Sequence, residues 1–250
     1  MGIDAMGQGA VVKISVLLPS RRPTHCDDVL SAFLKETGVD DEYIVCSPFE
    51  PRRTLLTVPS REGRVLWLKE DEPQGVIAAM HRCYEHAVGD IIVWWSDDAM
   101  PDPGCIRAIR DFYARHGPGM ASCAVRLRDQ TGREVEQWAV YGKPYGCWGA
   151  ASRRAILAAG GFFDTAYGGY WADPDFSLRL WRAGGRVVLC PDAWLMIRHV
   201  VDDLMHENRA KYGEQDRRTF LDRWHAFYGA GYDPEDWTSY NQPIDPKSML

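Results

Sequence analysis

The stretch Ile91-Ile92-Val93-Trp94-Trp95-Ser96-Asp97-Asp98 decides the architecture. An unbroken apolar run halts abruptly at a hydroxyl and two carboxylates. A run this short and continuous reads as a strand buried on both faces, as in parallel sheets covered by helices. Upstream, residues 74–87 carry Val76, Met80, Cys83 and Ala87 at helical spacing, closed by Gly89-Asp90. Earlier apolar runs at 11–18, 43–46 and 65–68 read as further strands. A helix is expected after the first of them, capped by Asp27 or Asp28, running through Leu34 and ended by Gly38. Strands alternating with helices imply βαβ units and a mostly parallel sheet, an α/β fold. Such sheets bind ligands at the carboxyl ends of their strands. Pro19-Ser20-Arg21, Ser47 and Asp97-Asp98 all fall there.

Downstream the pattern is less regular. Residues 104–116 read as a helix, and 122–126 and 136–141 as strands around a Thr131-Gly132 turn. Residues 145–149 form a Gly- and aromatic-rich loop. Ser152 caps a helix through Ala159, closed by Gly160-Gly161. Residues 174–182 are a further helix, and 186–190 a strand. Two polar amphipathic helices are expected from Asp202 to about Tyr228, and 231–250 is a surface segment rich in Pro, Asp and Asn.

The 250 residues suit one domain with room for an appendage, and 46% hydrophobic content with ten Trp supports a large core. Lys plus Arg is 29 against 35 Asp plus Glu, a net charge of −6. That excludes a strongly basic nucleic-acid binder, and means that a phosphorylated ligand would need a metal or local cations. The seven Cys are odd in number and contain no C-x-x-C pair, which argues against a disulfide framework or structural zinc. No apolar run approaches about 18 residues, so no transmembrane span is expected. Residues 1–10 lack the segments of a secretory signal. The expected address is cytoplasmic, with peripheral membrane contact left open.

Three carboxylate or imidazole sites carry the candidate chemistry. Asp97-Asp98 can hold a divalent cation through hard oxygen ligands, or can simply cap the turn before Pro101 and Pro103. Asp173, just before Pro174, sits at a helix start, where a carboxylate is favoured. It reads either as a cap or as a functional base, with Asp175 as the structural carboxylate of that turn. His199 follows the apolar segment 194–197 and reads as a structural side chain or an extra metal ligand.

Taken in order, these pieces resemble an inverting, family-2 glycosyltransferase of the GT-A fold. The resemblance is carried by Val12-Lys13-Ile14-Ser15-Val16-Leu17-Leu18-Pro19-Ser20-Arg21, by residues 74–82 and by Ser96-Asp97-Asp98-Ala99-Met100-Pro101. Gly149 through Phe162, and Ala172-Asp173-Pro174-Asp175 with the helix that follows, complete it. It implies a Rossmann-like sheet flanked by helices over 11–200, with a helical or irregular extension over 201–250 packing on the same domain. It further implies a nucleotide-diphosphate sugar donor and a carbohydrate or other hydroxyl acceptor. A divalent cation, Mn2+ or Mg2+, would lie on Asp98 and His199, and Asp173 would be the general base. Pro19, Ser20, Arg21, Ser47, Arg82, Asp97 and Trp148 would contact the donor. The acceptor side is expected from residue 201 onward, with Trp224, Tyr228, Trp237 and Tyr240 as candidate sugar platforms. No Gln-x-x-Arg-Trp motif follows His199, so transfer of a single sugar is expected rather than polymerisation.

Three departures from the family pattern matter. The base-reading Asp becomes Ser47, the first Asp of Asp-x-Asp becomes Trp95, and the Glu of Glu-Asp becomes Ala172. They motivate an alternative, a non-catalytic GT-A-like nucleotide- or carbohydrate-binding protein. A sugar-phosphate nucleotidyltransferase is disfavoured because the first strand is followed by Pro19-Ser20-Arg21-Arg22-Pro23, without Gly. No G-x-G-x-x-G follows it either.

Overall fold

The computed structural model describes residues 12–36, 41–50, 65–135, 138–198 and 200–229. Its first half follows the strand–helix alternation. In order come β1 (Ile14–Pro19), α1 (Pro23–Leu34), β2 (Glu42–Ser47), β3 (Val65–Lys69), α2 (Val76–His86) and β4 (Ile91–Trp94). The second half comprises β5 (Ala99–Pro101), α3 (Cys105–His116), β6 (Ala121–Arg128), β7 (Glu134–Val135), β8 (Ala139–Val140), β9 (Lys143–Pro144), β10 (Gly149–Ser152), α4 (Arg153–Ala158), α5 (Ala172–Arg182), β11 (Arg186–Ile197) and α6 (Asp203–Tyr228).

The main sheet runs β3-β2-β1-β4-β10-β6-β11-β5, with β7 added on β6, while β8 and β9 pair separately. Strands β1 to β4 are mutually parallel. Strand β10 runs against both β4 and β6, and β11 runs parallel to β6. This is the expected α/β architecture with a mostly parallel central sheet. Alternation along β1 divides the core. Ile14, Val16 and Leu18 face α1 and α3 with Val29, Phe33, Ile109 and Phe112. Leu17 faces the opposite layer, built from Ile77, Met80, Phe176, Phe220 and Trp224.

Several boundaries differ from expectation. Helix α1 starts at Pro23, with Arg22 as a cap that offers no side-chain bond, so Asp27 and Asp28 lie inside the helix. Proline at the first helical position loses only an N–H that had no partner there, and its φ suits the helix. The glycine-rich loop at 145–149 ends in a strand, β10. A Cβ on Gly149 would lie 2.5 Å from the Cys123 carbonyl oxygen and 2.8 Å from the Trp94 ring, so only glycine lets this strand close the gap between β4 and β6. Residues 134–141 do not form one strand. Glu134–Val135 pairs with β6 and Ala139–Val140 with β9, while 136–137 lie outside the described residues.

The largest departure is α6, a single helix of 26 residues where two were expected. Gly213 costs a helix interior about 1 kcal/mol, and neighbouring contacts outweigh it. Asp202 caps the start by accepting the Met205 N–H at 2.9 Å. Further along, Phe220 and Trp224 are fully buried in the second core layer, each contributing roughly 1.5–3 kcal/mol. All seven cysteines are free, and all but Cys147 are buried. Among the described residues no helix is long and apolar enough to cross a membrane.

Candidate active site

A cavity of about 570 Å³ opens at the carboxyl ends of β1, β2 and β4, between the start of α2 and the N-terminal half of α6. The strand ends deliver Pro19, Ser20, Cys46, Ser96, Asp97 and Asp98 to its wall, and α6 delivers Leu204, Met205, Asn208, Lys211 and Tyr212. The helix read as lying beyond the core is therefore one side of the cleft.

Asp97 is almost fully buried. Its Oδ2 accepts the Ser20 hydroxyl at 2.6 Å and its Oδ1 accepts Arg22 Nη1 at 2.9 Å. Arg22 also clamps Asp202 through Nε at 2.7 Å and Nη2 at 2.9 Å. The result is a chain from the end of β4 to the first turn of α6. Burial pushes the Asp97 carboxyl up, against the pull of Ser20 and Arg22, while the bond from Arg22 holds Asp202 down at about 2. Asp97 was expected to contact the donor. Both its oxygens are occupied within the protein, one of them by Arg22, whereas Arg21 was expected to meet the donor phosphates. Arg21 sits exposed on the rim of the cavity.

Asp98 is half-buried on the cavity wall, and the Ser96 hydroxyl donates to its Oδ1. Trp148 Nε1 in turn donates to Ser96 Oγ at 2.6 Å. Trp148, expected to contact the donor, orients the serine that orients Asp98 and is not on the cavity wall. The Arg198 N–H donates to the Asp98 carbonyl at 2.8 Å. His199, the next residue, lies outside the described residues, as do Trp237 and Tyr240.

Asp173 stands at the second position of α5, behind a cap residue, Trp171, that turns left-handed with φ 66°. It is not itself the cap. Burial pushes its carboxyl up to about 6, against hydrogen bonds from the Cys147 thiol and its own N–H. The helix start was expected to keep this group an ordinary, readily ionised carboxylate, but desolvation outweighs the dipole. The Cys147 thiol is pushed well up by burial and by the charges of both Asp173 and Asp98. Cys147 is thus common ground between the two carboxylates. Asp173 does not line the main cavity, although Gly169 and Tyr170, just upstream, do.

Asp175, two residues on, is wholly buried. It accepts Arg179 Nε and Arg223 Nη1 at 2.8 Å, Trp224 Nε1 at 3.0 Å and the Tyr167 hydroxyl at 3.2 Å. Trp224 therefore anchors α6 and cannot serve as a surface platform. Tyr228 stacks on Tyr141 at 4.5 Å. Asp216 fixes the loop before α5 by accepting the N–H groups of Gly168, Gly169 and Tyr170 at 2.8–3.1 Å. A Cβ on Gly168 would overlap the Tyr212 ring, so glycine is required for α6 to approach this closely.

Two further residues expected at the donor lie off the cavity wall. Ser47 is fully buried, donates to the Phe49 carbonyl at 3.0 Å and accepts Trp67 Nε1 at 2.6 Å, so it does not reach the cavity. Arg82 is exposed, bonds the Lys69 carbonyl at 3.0 Å and is also off the cavity wall. Arg22, Glu70, Cys147 and Asp202 were not among the expected site residues, whereas α6, expected on the acceptor side, lines the cavity with its N-terminal half. Pro23 marks Arg22 as the residue at the helix entry. The others carry no local motif.

Among the described residues no group of three His, Cys, Asp or Glu side chains is arranged to hold a metal ion. Small divalent cations on phosphate ligands need only one or two carboxylates, with phosphate oxygens and water completing the shell. The second oxygen of Asp98 has no protein donor among the described residues, and that donor set suits such a shared site.

A family model described as Glycosyl transferase family 2 matches residues 28–205. No curated protein sequence matches. Solved structures with the same fold include the mannosyltransferase PcManGT from Pyrobaculum calidifontis in complex with GDP-Man and Mn2+. It has a TM-score of 0.63 and 17% identity, over 86% of this chain and 65% of that one. GalNAc-T7 with UDP, GalNAc and Mn2+ has a TM-score of 0.59 and 10% identity, over 97% of this chain and 56% of that one. S. aureus TarS 1-349 with UDP-GlcNAc has a TM-score of 0.57 and 14% identity, over 86% of this chain and 73% of that one. At these identities the likeness establishes the GT-A fold. The chain spans less than two thirds of the first two relatives.

Proposed function

The chain belongs to glycosyl transferase family 2, and from that premise we propose that it moves one sugar from a nucleotide-diphosphate sugar to an acceptor hydroxyl, inverting the anomeric carbon. Residues 11–200 form the transferase domain in this reading, and the segment from 201 onward, of which 201–229 is described, is an extension that supplies the acceptor side. The observation that carries the reading is the cleft at the strand ends, where Asp98 stands half-buried on the wall and Gly169 and Tyr170 lead from the same wall into the helix that carries Asp173. The Asp173 carboxyl, raised to about 6 by burial, is poised there for proton transfer.

The chemistry assigns each a role. The acceptor oxygen attacks the anomeric carbon and a new C–O bond forms. The bond from that carbon to the diphosphate oxygen breaks on the opposite face, and the nucleoside diphosphate leaves with the electron pair. Asp173 accepts the acceptor's proton. A carboxylate whose conjugate acid has a pKa near 6 is a stronger base than an ordinary aspartate and is still mostly ionised at neutral pH, the poise expected of a general base. Asp98 would hold Mn2+ or Mg2+ together with the diphosphate oxygens. Such a cation, when bound, neutralises the charge that develops on the leaving group. Ser96 and Trp148 keep Asp98 oriented. Arg21 and Lys211, both exposed at the cavity rim, add positive charge for the diphosphate. The alternative, a binding module without catalysis, gains nothing from holding a carboxyl raised beside the cleft.

The test uses donor hydrolysis, in which water replaces the acceptor. Nucleoside diphosphate release from a panel of nucleotide sugars with Mn2+ should be detectable, and Asp173→Asn should reduce it by roughly 10²–10⁴-fold. Release at the wild-type rate in Asp173→Asn would remove the assigned base.

A further inference from the structure

We propose, building on the nucleotide-sugar reading, that Glu70 reads the base of the donor and selects guanine. Glu70 directly follows β3, and its N–H donates to the Ser47 carbonyl at 2.8 Å, which fixes it beside the end of β2. Its side chain is on the cavity wall yet only 4% exposed. Cys46, Pro73, Val76 and Ala79 share that part of the wall, making an apolar slot suited to a flat ring.

The carboxylate is poorly satisfied for a group so buried. Among the described residues the one donor to it is the Gln74 N–H, at a long 3.4 Å. By contrast Asp97, on the same cavity, has a hydroxyl and a guanidinium at 2.6 and 2.9 Å. A buried carboxylate left under-bonded is costly, and a ligand that supplies donors recovers that cost. Arg21 and Arg82 lie close enough to favour its charged form, against the burial that raises it.

The complementary ligand offers two adjacent N–H donors to two carboxylate oxygens. Guanine presents N1–H and N2–H side by side. Uracil presents one N–H flanked by two carbonyl oxygens, which repel a carboxylate. Adenine and cytosine present an amino group beside a lone-pair nitrogen, which repels it as well. The position at which a base reader was expected, Ser47, is buried and already bonded to Trp67 and Phe49, so it leaves that role to Glu70.

Calorimetric titration of the full chain with GDP, UDP, ADP and CDP, in Mg2+, tests this. GDP should bind roughly 10- to 100-fold more tightly than the others, the usual span for a two-bond base contact. Glu70→Gln keeps the size but turns an amide N–H toward one guanine donor. It should cut the GDP-to-UDP preference at least tenfold, and that ratio is insensitive to general destabilisation of the variant. Glu70→Asp, which keeps the charge, should retain the preference for GDP with weaker binding. Equal or tighter binding of UDP to the wild type, or an unchanged ratio in Glu70→Gln, overturns the assignment to Glu70 and leaves the transferase reading standing. Failure of all four diphosphates to bind at millimolar concentration overturns both.

Discussion

The end of β4 and the start of α5 solve the same problem in opposite registers. Each carries two closely spaced aspartates. At β4 the first of the pair, Asp97, is tied to Ser20 and Arg22, and the second, Asp98, faces the cleft. At α5 the order reverses. Asp173 is left with a thiol and its own N–H, and Asp175 is tied to Arg179, Arg223, Trp224 and Tyr167. The tied member of each pair grips α6, Asp97 through Arg22 and Asp202 at its start and Asp175 through Arg223 and Trp224 near its end. The other member is left for chemistry. One aspartate thus fixes the wall of the cleft while its neighbour keeps the reactivity that full hydrogen bonding would remove.

That contrast breaks most directly by exchanging charge for amide at α5. Asp173→Asn should lose roughly 10²–10⁴-fold in turnover and yet gain stability at pH 7. Its carboxyl lies at about 6 against an ordinary 3.8. The folded state therefore binds the proton more tightly than the unfolded chain. The stability this confers is full below about 3.8 and lost as pH rises through about 6. At neutral pH the ionised group is a cost of at most about 3 kcal/mol, reduced by its partial exposure, which Asn removes. A melting temperature raised by a few degrees is expected, read by calorimetry. Asp175→Asn should do the reverse. It leaves Arg179 and Arg223 without their buried carboxylate, a loss of about 3–5 kcal/mol, and the melting temperature should fall by at least about 6 °C.

At β4, Asp98→Ala should abolish any Mn2+-dependent gain in nucleoside diphosphate affinity while leaving the melting temperature of the free protein nearly unchanged. Calorimetry with and without EDTA reads this, and equal metal dependence in the variant would move the site elsewhere. The smallest effect belongs to the clamp. Asp202→Asn keeps the helix cap but loses the pairing with Arg22. Because Arg22 holds Asp202 at about 2, the pairing contributes stability above about pH 4 that is lost as pH falls towards 2. Wild type and Asp202→Asn should therefore differ modestly at pH 7 and converge in acid, as urea titrations at several pH values would record.

Much of this comparison was legible in the sequence, for identifiable reasons. Apolar runs that halt at polar residues located β1, β2 and β4, because a strand covered on both faces has no polar alternation to blur its ends. Pro174 and the apolar spacing beyond it located α5, hence the pair Asp173 and Asp175. Strand β10 escaped because its residues, Gly149 to Ser152, are small and carry no strand propensity. The gap between β4 and β6 selects them, and only the assembled sheet reveals that gap. The grip on α6 escaped because Arg22 and Asp202 lie 180 positions apart. The upward shift at Asp173 escaped because desolvation depends on what packs around a group, whereas the helix start that argues the other way is local and readable.

If Asp173 is the base, its titration must show in the pH profile of turnover. Donor hydrolysis, or transfer once an acceptor is in hand, should be measured from pH 4.5 to 8.5 in the wild type and in Asp173→Asn. The wild-type rate should rise about tenfold per pH unit on the acid side and level off above an apparent pKa of about 6. In Asp173→Asn the rate should be roughly 10²–10⁴-fold lower and that acid limb should vanish. An acid limb that persists unchanged in Asp173→Asn, at an undiminished rate, would contradict the account.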